Sequence, residues 1–314
     1  MAFRSLLLAA FVPMSIVACG GDDGGSVTPT GMHYHYVVNK ATVPTSSSEA
    51  RDDGLDLNGD GTVDNQLGGT LAALKSVGNF DVQATVDKAV ADGSIILLAD
   101  FQSKSFTSTA SAGMQVFLGS NPMPAPCADG SDTVCGRHLT GSGSFDVTPN
   151  DNPPLAGKIV GGTFTGGPGK LTLQIAIGGE TPILLNLIGA RIQAKSISET
   201  GIGDITFAGA ITTDDINNMI IPAIVPQLMN TVAMDCTMLT HPPDCGCTGT
   251  GMTIISTFDK SPADCMITAD ELRANSIVMS ALSPDVTIDG KMAVSLGIKA
   301  TAVTGTYTVA GETM

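Results

Sequence analysis

The sequence predicts a β-rich α+β protein in which antiparallel sheets, as a sandwich or an open barrel, carry a few packed helices. Three observations predict it. Only 14% of the 314 residues are charged while 37 are glycine, a composition suited to many turns rather than to a helical bundle. Long stretches alternate apolar with polar residues, which is the period of a half-buried strand. Helical spacing is confined to a few segments.

In chain order, residues 32–38 alternate as an edge or surface strand, with His33 and His35 on the face opposite Tyr34 and Tyr36. An acidic, glycine-punctuated loop spans 52–67. Residues 67–77 and 82–91 have helical spacing, with Asp81 as a cap for the second helix and Gly93 as its stop. Residues 94–99 read as a buried strand, followed by strands at 114–118, 144–147 and 157–165. Gly166-Gly167-Pro168-Gly169-Lys170 reads as a hairpin turn. It is no phosphate loop, because Phe164 replaces the first glycine and Leu171 the magnesium-binding Ser or Thr. In residues 170–177, Leu171, Leu173, Ile175 and Ile177 share one face. A turn at 178–181 leads into a run over 182–197 whose alternation switches near Gly189, as at a bulge.

Residues 213–234 are the strongest helix candidate, with Ile216, Ile220, Ile224, Leu228 and Val232 among the apolar positions. Pro222 and Pro226 must kink or split it. A helix over 268–282 opens with the capping box Thr268/Glu271, and a strand region over 291–309 follows.

Arg4 followed by an apolar run over 6–17 is the layout of a secretory signal, too short to span a membrane as a stable helix. Ile16-Val17-Ala18-Cys19 resembles the lipobox of bacterial lipoproteins. The resemblance implies a signal peptide at 1–18, lipid on Cys19, a flexible tether at 19–31 and a body at 32–314. Gly20 after the cysteine implies, by the sorting rules of enterobacterial lipoproteins, the outer membrane.

Assigning Cys19 to lipid leaves Cys127, Cys135, Cys236, Cys245, Cys247 and Cys265, an even set suited to a disulfide-permissive compartment. Cys127 and Cys135 close a loop on themselves. The other four form two bridges of open pairing or, with His241, a zinc site whose C-x-C spacing departs from the usual knuckle. With 15 basic and 30 acidic residues, the chain excludes nucleic acid as a partner.

Asp56-Leu57-Asn58-Gly59-Asp60-Gly61-Thr62-Val63-Asp64 carries the chemistry. Asp56, Asn58, Asp60 and Asp64 supply side-chain oxygens at positions 1, 3, 5 and 9 of a calcium loop, and Thr62 its carbonyl. Glycine at position 6 makes the sharp turn. The stretch resembles the calcium loops of EF-hands, dockerins and thrombospondin type 3 repeats. Leu67 stands where an EF-hand has its bidentate Glu, which implies a structural ion rather than a switch, completed by Asp53 or water. Lipobox, tether and loop together resemble uncharacterised lipoproteins of myxobacterial type, which implies a cell-envelope protein without assigning an activity.

The chain has no H-E-x-x-H or G-x-S-x-G. Asp214 with Asp215 and Asp270 with Glu271 sit at helix N-termini, where capping explains them. His33-x-His35, able to ligate a transition metal from one strand face, reads as a solvated strand. The expectation is a non-enzymatic envelope protein that binds calcium and meets a protein partner. An apolar-ligand carrier is the alternative, and a secreted hydrolase with dispersed carboxylates comes third.

Overall fold

A computed structural model describes residues 27–78, 82–129, 132, 134–176, 182–260 and 262–310. The signal peptide, the lipobox with Cys19, the start of the tether, Asp81 and the 178–181 turn lie outside the described residues.

The alternating segments form strands β1 (Met32–Thr42), β2 (Leu97–Ser103), β3 (Thr109–Met123), β4 (Gly143–Thr148), β5 (Leu155–Val160), β6 (Thr163–Ile175), β7 (Ile183–Ser198), β8 (Gly201–Thr212), β9 (Val286–Ile288) and β10 (Lys291–Thr306). Eight of them close a barrel of antiparallel neighbours, in the order β1-β2-β3-β5-β6-β7-β8-β10 and back to β1. Closure leaves the wall without an edge, so β1, expected as an edge or surface strand, is paired on both sides.

Period-two alternation fixes which residues face inward. Tyr36, Phe101, Met114, Phe164, Leu173, Leu185, Ile192 and Phe207 fill the interior and are all buried. Tyr36 satisfies its phenol there by donating to the Ser198 carbonyl at 2.7 Å. Thr172, Asn186, Gln193 and Lys195 alternate with inward residues and are wholly or partly exposed. Apolar-in and polar-out is the reverse of a lipid-facing barrel. Among the described residues no helix is long and apolar enough to cross a membrane.

Two glycine-rich sites depart from expectation. Residues 157–165 are not one strand, because Gly161 and Gly162, with φ of +56° and +78°, turn β5 into β6. The run over 166–170 is not a turn. It lies inside β6, where the register with β7 shifts on both sides of Gly169, and Pro168 brings no N–H to the ladder. The bulge expected near Gly189 is present, with φ of +58° and a register shift between Ile188 and Arg191.

Among the described residues all α-helices sit in two connections at one end of the barrel. The first carries α1 (Ser47–Asp52), α2 (Gln66–Gly78) and α3 (Val82–Ala91) from β1 to β2. The second leaves β8 through α4 (Thr213–Asp215), a π-helical turn at Ile216–Ile220 and α5 (Ile221–Asp235). It returns through α6 (Gly249–Phe258), α7 (Ala269–Ala274) and α8 (Ser276–Ala281) to β9. Pro222 follows the π turn in the first turn of α5, where a missing N–H is tolerated, and Pro226 lies inside the helix. The helix expected over 268–282 starts with its capping box and then breaks. Asn275 ends α7 and caps α8 by accepting from the Ile277 and Val278 N–H groups.

β4 stands apart from the barrel. It pairs antiparallel with the overhanging end of β3 and parallel with the end of β10, so it straps across the outer wall of β1 and β2. A small second core of Val37, Ile96, Leu98, Phe117, Phe145 and Tyr307 lies beneath it.

The six cysteines form Cys127–Cys135, Cys236–Cys247 and Cys245–Cys265. Their sulfurs are therefore bonded to one another and do not form the zinc site weighed above. Cys245–Cys265, spanning 20 residues, ties the α5–α6 connection to the segment before α7. The double variant Cys245→Ser/Cys265→Ser is expected to lose about 3 kcal/mol in urea unfolding, from loop-closure entropy. A loss under about 1 kcal/mol would show that the helical packing alone holds this connection.

Candidate metal centre

The acidic loop hangs on the outer wall of the barrel between α1 and α2. Leu55 and Asp64 pair in an isolated antiparallel bridge, with the Asp64 N–H donating to the Leu55 carbonyl at 3.1 Å, so the intervening residues form a closed loop. Leu57, 4% exposed, anchors the loop in an apolar patch made by Ala208, Ala210, Val286, Ile288 and Ala293. Residues 58–63, Asn58, Asp60 and Thr62 among them, are all exposed, while Asp56 is half-buried.

Backbone N–H groups orient the carboxylates. Asp56 accepts from Gly59 at 2.6 Å and from Gly61 at 2.9 Å, one bond per oxygen. Asn58 Oδ1 accepts from the Asp60 N–H at 2.9 Å, and Asp60 Oδ1 from the Thr62 N–H at 2.7 Å. Gly59 and Gly61 adopt φ of +82° and +85°, and glycine supplies those left-handed turns without strain. Each carboxylate oxygen has two lone pairs, so one N–H bond leaves capacity for a cation. The Thr62 N–H, and then the Asn58 side chain, hold Asp60 below the usual carboxylate range.

Asp64 differs from the others. It is 8% exposed, and its Oδ2 accepts from the Leu57 N–H at 2.8 Å. Burial pushes its carboxyl above the ordinary range against that bond, and the charges of Asp285, Asp60 and Asp56 push the same way. Asp285 was not distinguished by the sequence. It lies some 220 residues from the loop, and its tie to the region, accepting from the Ser295 N–H at 2.8 Å, is purely tertiary.

The next residue moors the loop to the barrel. β10 is paired with β1 only over Lys299–Thr304, so Gly297 presents free backbone groups on that side. The Asn65 side chain replaces the missing strand. Its Oδ1 accepts from the Gly297 N–H at 2.8 Å and its Nδ2 donates to the Gly297 carbonyl at 3.1 Å. Nδ2 also donates to the Ala50 carbonyl, and Oδ1 also accepts from the Gly68 N–H. Residue 297 must be glycine, because a Cβ there would lie 2.4 Å from the Asp53 carbonyl oxygen.

Two further sequence candidates are elsewhere engaged. Asp53, considered as an additional ligand, is buried beside the Lys299 ammonium at 3.4 Å. Leu67, at position 12, is buried in the main core and offers no oxygen. Among the described residues no three His, Cys, Asp or Glu side chains form a ready cage. Asp56, Asp60 and Asp64 are thus not gathered into one cage; the oxygens the loop offers, those carboxylates with the Asn58 amide and the Thr62 carbonyl, are of the hard type that calcium accepts.

His33 and His35 occupy the outer face opposite Tyr34 and Tyr36. They turn toward buried Asp100, with His33 Nδ1 at 2.9 Å from one carboxylate oxygen and His35 Nε2 at 3.9 Å from the other.

Fold and site together define a closed, apolar-cored antiparallel barrel with a helical cap and an acidic loop moored on its outer wall. Comparison with protein-family models, curated proteins and solved structures finds no match to the chain.

Proposed function

We propose that this chain is a membrane-anchored envelope lipoprotein with a structural or interaction role, in which one calcium ion fixes the 55–64 loop to the barrel. The supporting observation is the environment of Asp64. A buried carboxylate facing the charges of Asp285, Asp60 and Asp56 is relieved by a cation, and its neighbour Asn65 transmits the fixation to β10. The anchor fits the same geometry, because residues 27–31 enter β1 at the end opposite the helices, with the Thr30 N–H donating to the Ser111 carbonyl. A lipid on Cys19 would then leave the helical end and the loop facing away from the membrane, toward a partner.

The carrier reading rests on the barrel architecture, which encloses ligands in other proteins. Against it stands the packing. The apolar space between α3 and the barrel mouth, lined by Val38, Val86, Leu97, Ile175 and Phe207, has a volume of about 30 Å³, far below the roughly 300 Å³ at which small-molecule sites begin.

Calorimetric titration of the mature chain with calcium is expected to give saturable binding of about one ion. At a hundredfold excess over Kd the ion adds about 2.7 kcal/mol of stability, seen as a raised Tm that chelator reverses. Asp60→Ala, at an exposed position, is expected to abolish both signals while leaving the chelated Tm unchanged. Absence of heat and of any Tm shift in the wild type would reduce the loop to a solvated turn.

A further inference from the structure

His138 is fully buried, and among the described residues neither of its ring nitrogens has a hydrogen-bond partner. It lies in the 3-10 turn Arg137–Leu139, ahead of β4. Its ring stands edge-on to Phe145 of β4, with centroids 6.1 Å apart. Gly143, the first residue of β4, packs so closely on the turn that a Cβ would lie 2.1 Å from the His138 carbonyl oxygen. Ring, turn and strap are thus one packed unit, and the ring reaches water only if that unit lifts from the outer wall.

The charged groups around the turn engage other partners or face solvent. Lys40 of β1 and Asp87 of α3 line the opening beside Gly136 and Leu139. Asp132 of the disulfide loop accepts from the Ala128 and Val134 N–H groups, and Asp146 of β4 accepts from Asn121. His33 and His35 on β1 face Asp100 on β2. Arg137 neighbours His138 in the turn and bears on Asp132. Asp92, after α3, is the charge that acts on the His138 ring, and it favours the protonated form. Burial outweighs it and holds the ring below the ordinary histidine range.

We propose that β4 and its preceding turn are an acid-released strap: protonation of His138 undocks β4 and uncovers the apolar outer wall of β1 and β2. A neutral imidazole is tolerated among Phe145 and Leu139, whereas a buried imidazolium without an acceptor is not. Because the docked ring binds a proton less readily than a free one, docking is fully favoured above the ordinary histidine pKa. It weakens as pH falls below that value, by about tenfold per pH unit until the docked ring itself titrates. Among the described residues no histidine lies in the barrel interior, so release is local.

The test is amide exchange on the whole mature chain at about pH 7.5 and about pH 5, corrected for the intrinsic pH dependence of exchange, on either side of the histidine range. Residues 143–148 are expected to lose at least about tenfold in protection at the lower pH while β7 keeps its own. His138→Phe should hold β4 protected at both values. Unchanged protection of β4 in the wild type, or equal loss in His138→Phe, would overturn the proposal. Should His138→Phe disturb β7 at the higher pH, histidine ring NMR of the wild type decides. The His138 titration must then coincide with β4 deprotection, and a separate midpoint rejects the strap.

Discussion

Replacing Asn65 with leucine is expected to lower the unfolding free energy by about 3–5 kcal/mol, with a parallel loss of calcium binding. Leucine nearly matches asparagine in shape, so the effect isolates the hydrogen bonds. The substitution strands the Gly297 N–H and carbonyl, the Ala50 carbonyl and the Gly68 N–H in a buried site. Each stranded group costs about 1–3 kcal/mol, with local relaxation recovering part of the sum. Urea unfolding in chelator reads the stability, and calcium titration reads the loop. A change below about 1 kcal/mol would mean that water replaces the amide and that the loop is not moored where it lies.

Phe164→Ala is expected to cost a similar 3–5 kcal/mol, for a different reason. Phe164 is fully buried inside the barrel and packs edge-on against Phe101 with centroids 5.1 Å apart. Truncation empties a space that the closed wall cannot collapse into, and an aromatic contact worth about 0.5–1.5 kcal/mol goes with it. The same measurement bears on the carrier reading. A barrel built as a chamber tolerates added volume, so a loss under about 1 kcal/mol, or recovery of stability on adding a fatty acid, would favour a carrier.

The legible part of this fold was the part written in local periodicity. Inward and outward faces of β1, β6 and β7, the bulge at Gly189 and the caps at Thr268 and Gly93 all rest on neighbours a few residues apart, and the structure has them. Closure of the barrel rests on β1 meeting β10 across some 260 residues, for which a single sequence holds no local signal. The glycine run over 166–170 misled for a related reason. Gly-Pro-Gly is turn chemistry in isolation, and only the pairing of both flanks with β7 makes it a bulge. In the loop, the spacing of Asp56, Asn58, Asp60, Thr62 and Asp64 was explicit. The contributions of Asp285, Asn65 and Gly297 were not, since each depends on the course of β10. The strap over β1 and β2 was invisible too: β4 reads as an ordinary strand, and no local pattern marks His138.

Pairing of the first strand with the last also governs how the chain reaches its native state. β1 acquires its second neighbour only once β10, the sixteen residues Lys291–Thr306, is in place. Until then β1 and β8 both carry open hydrogen-bonding edges, and such edges invite pairing between molecules. The barrel therefore has no native-like fragment that stops short of β10. A chain truncated before Lys291 should accumulate as aggregate rather than as a smaller soluble domain, and full-length folding should be slow, as suits a topology dominated by distant contacts.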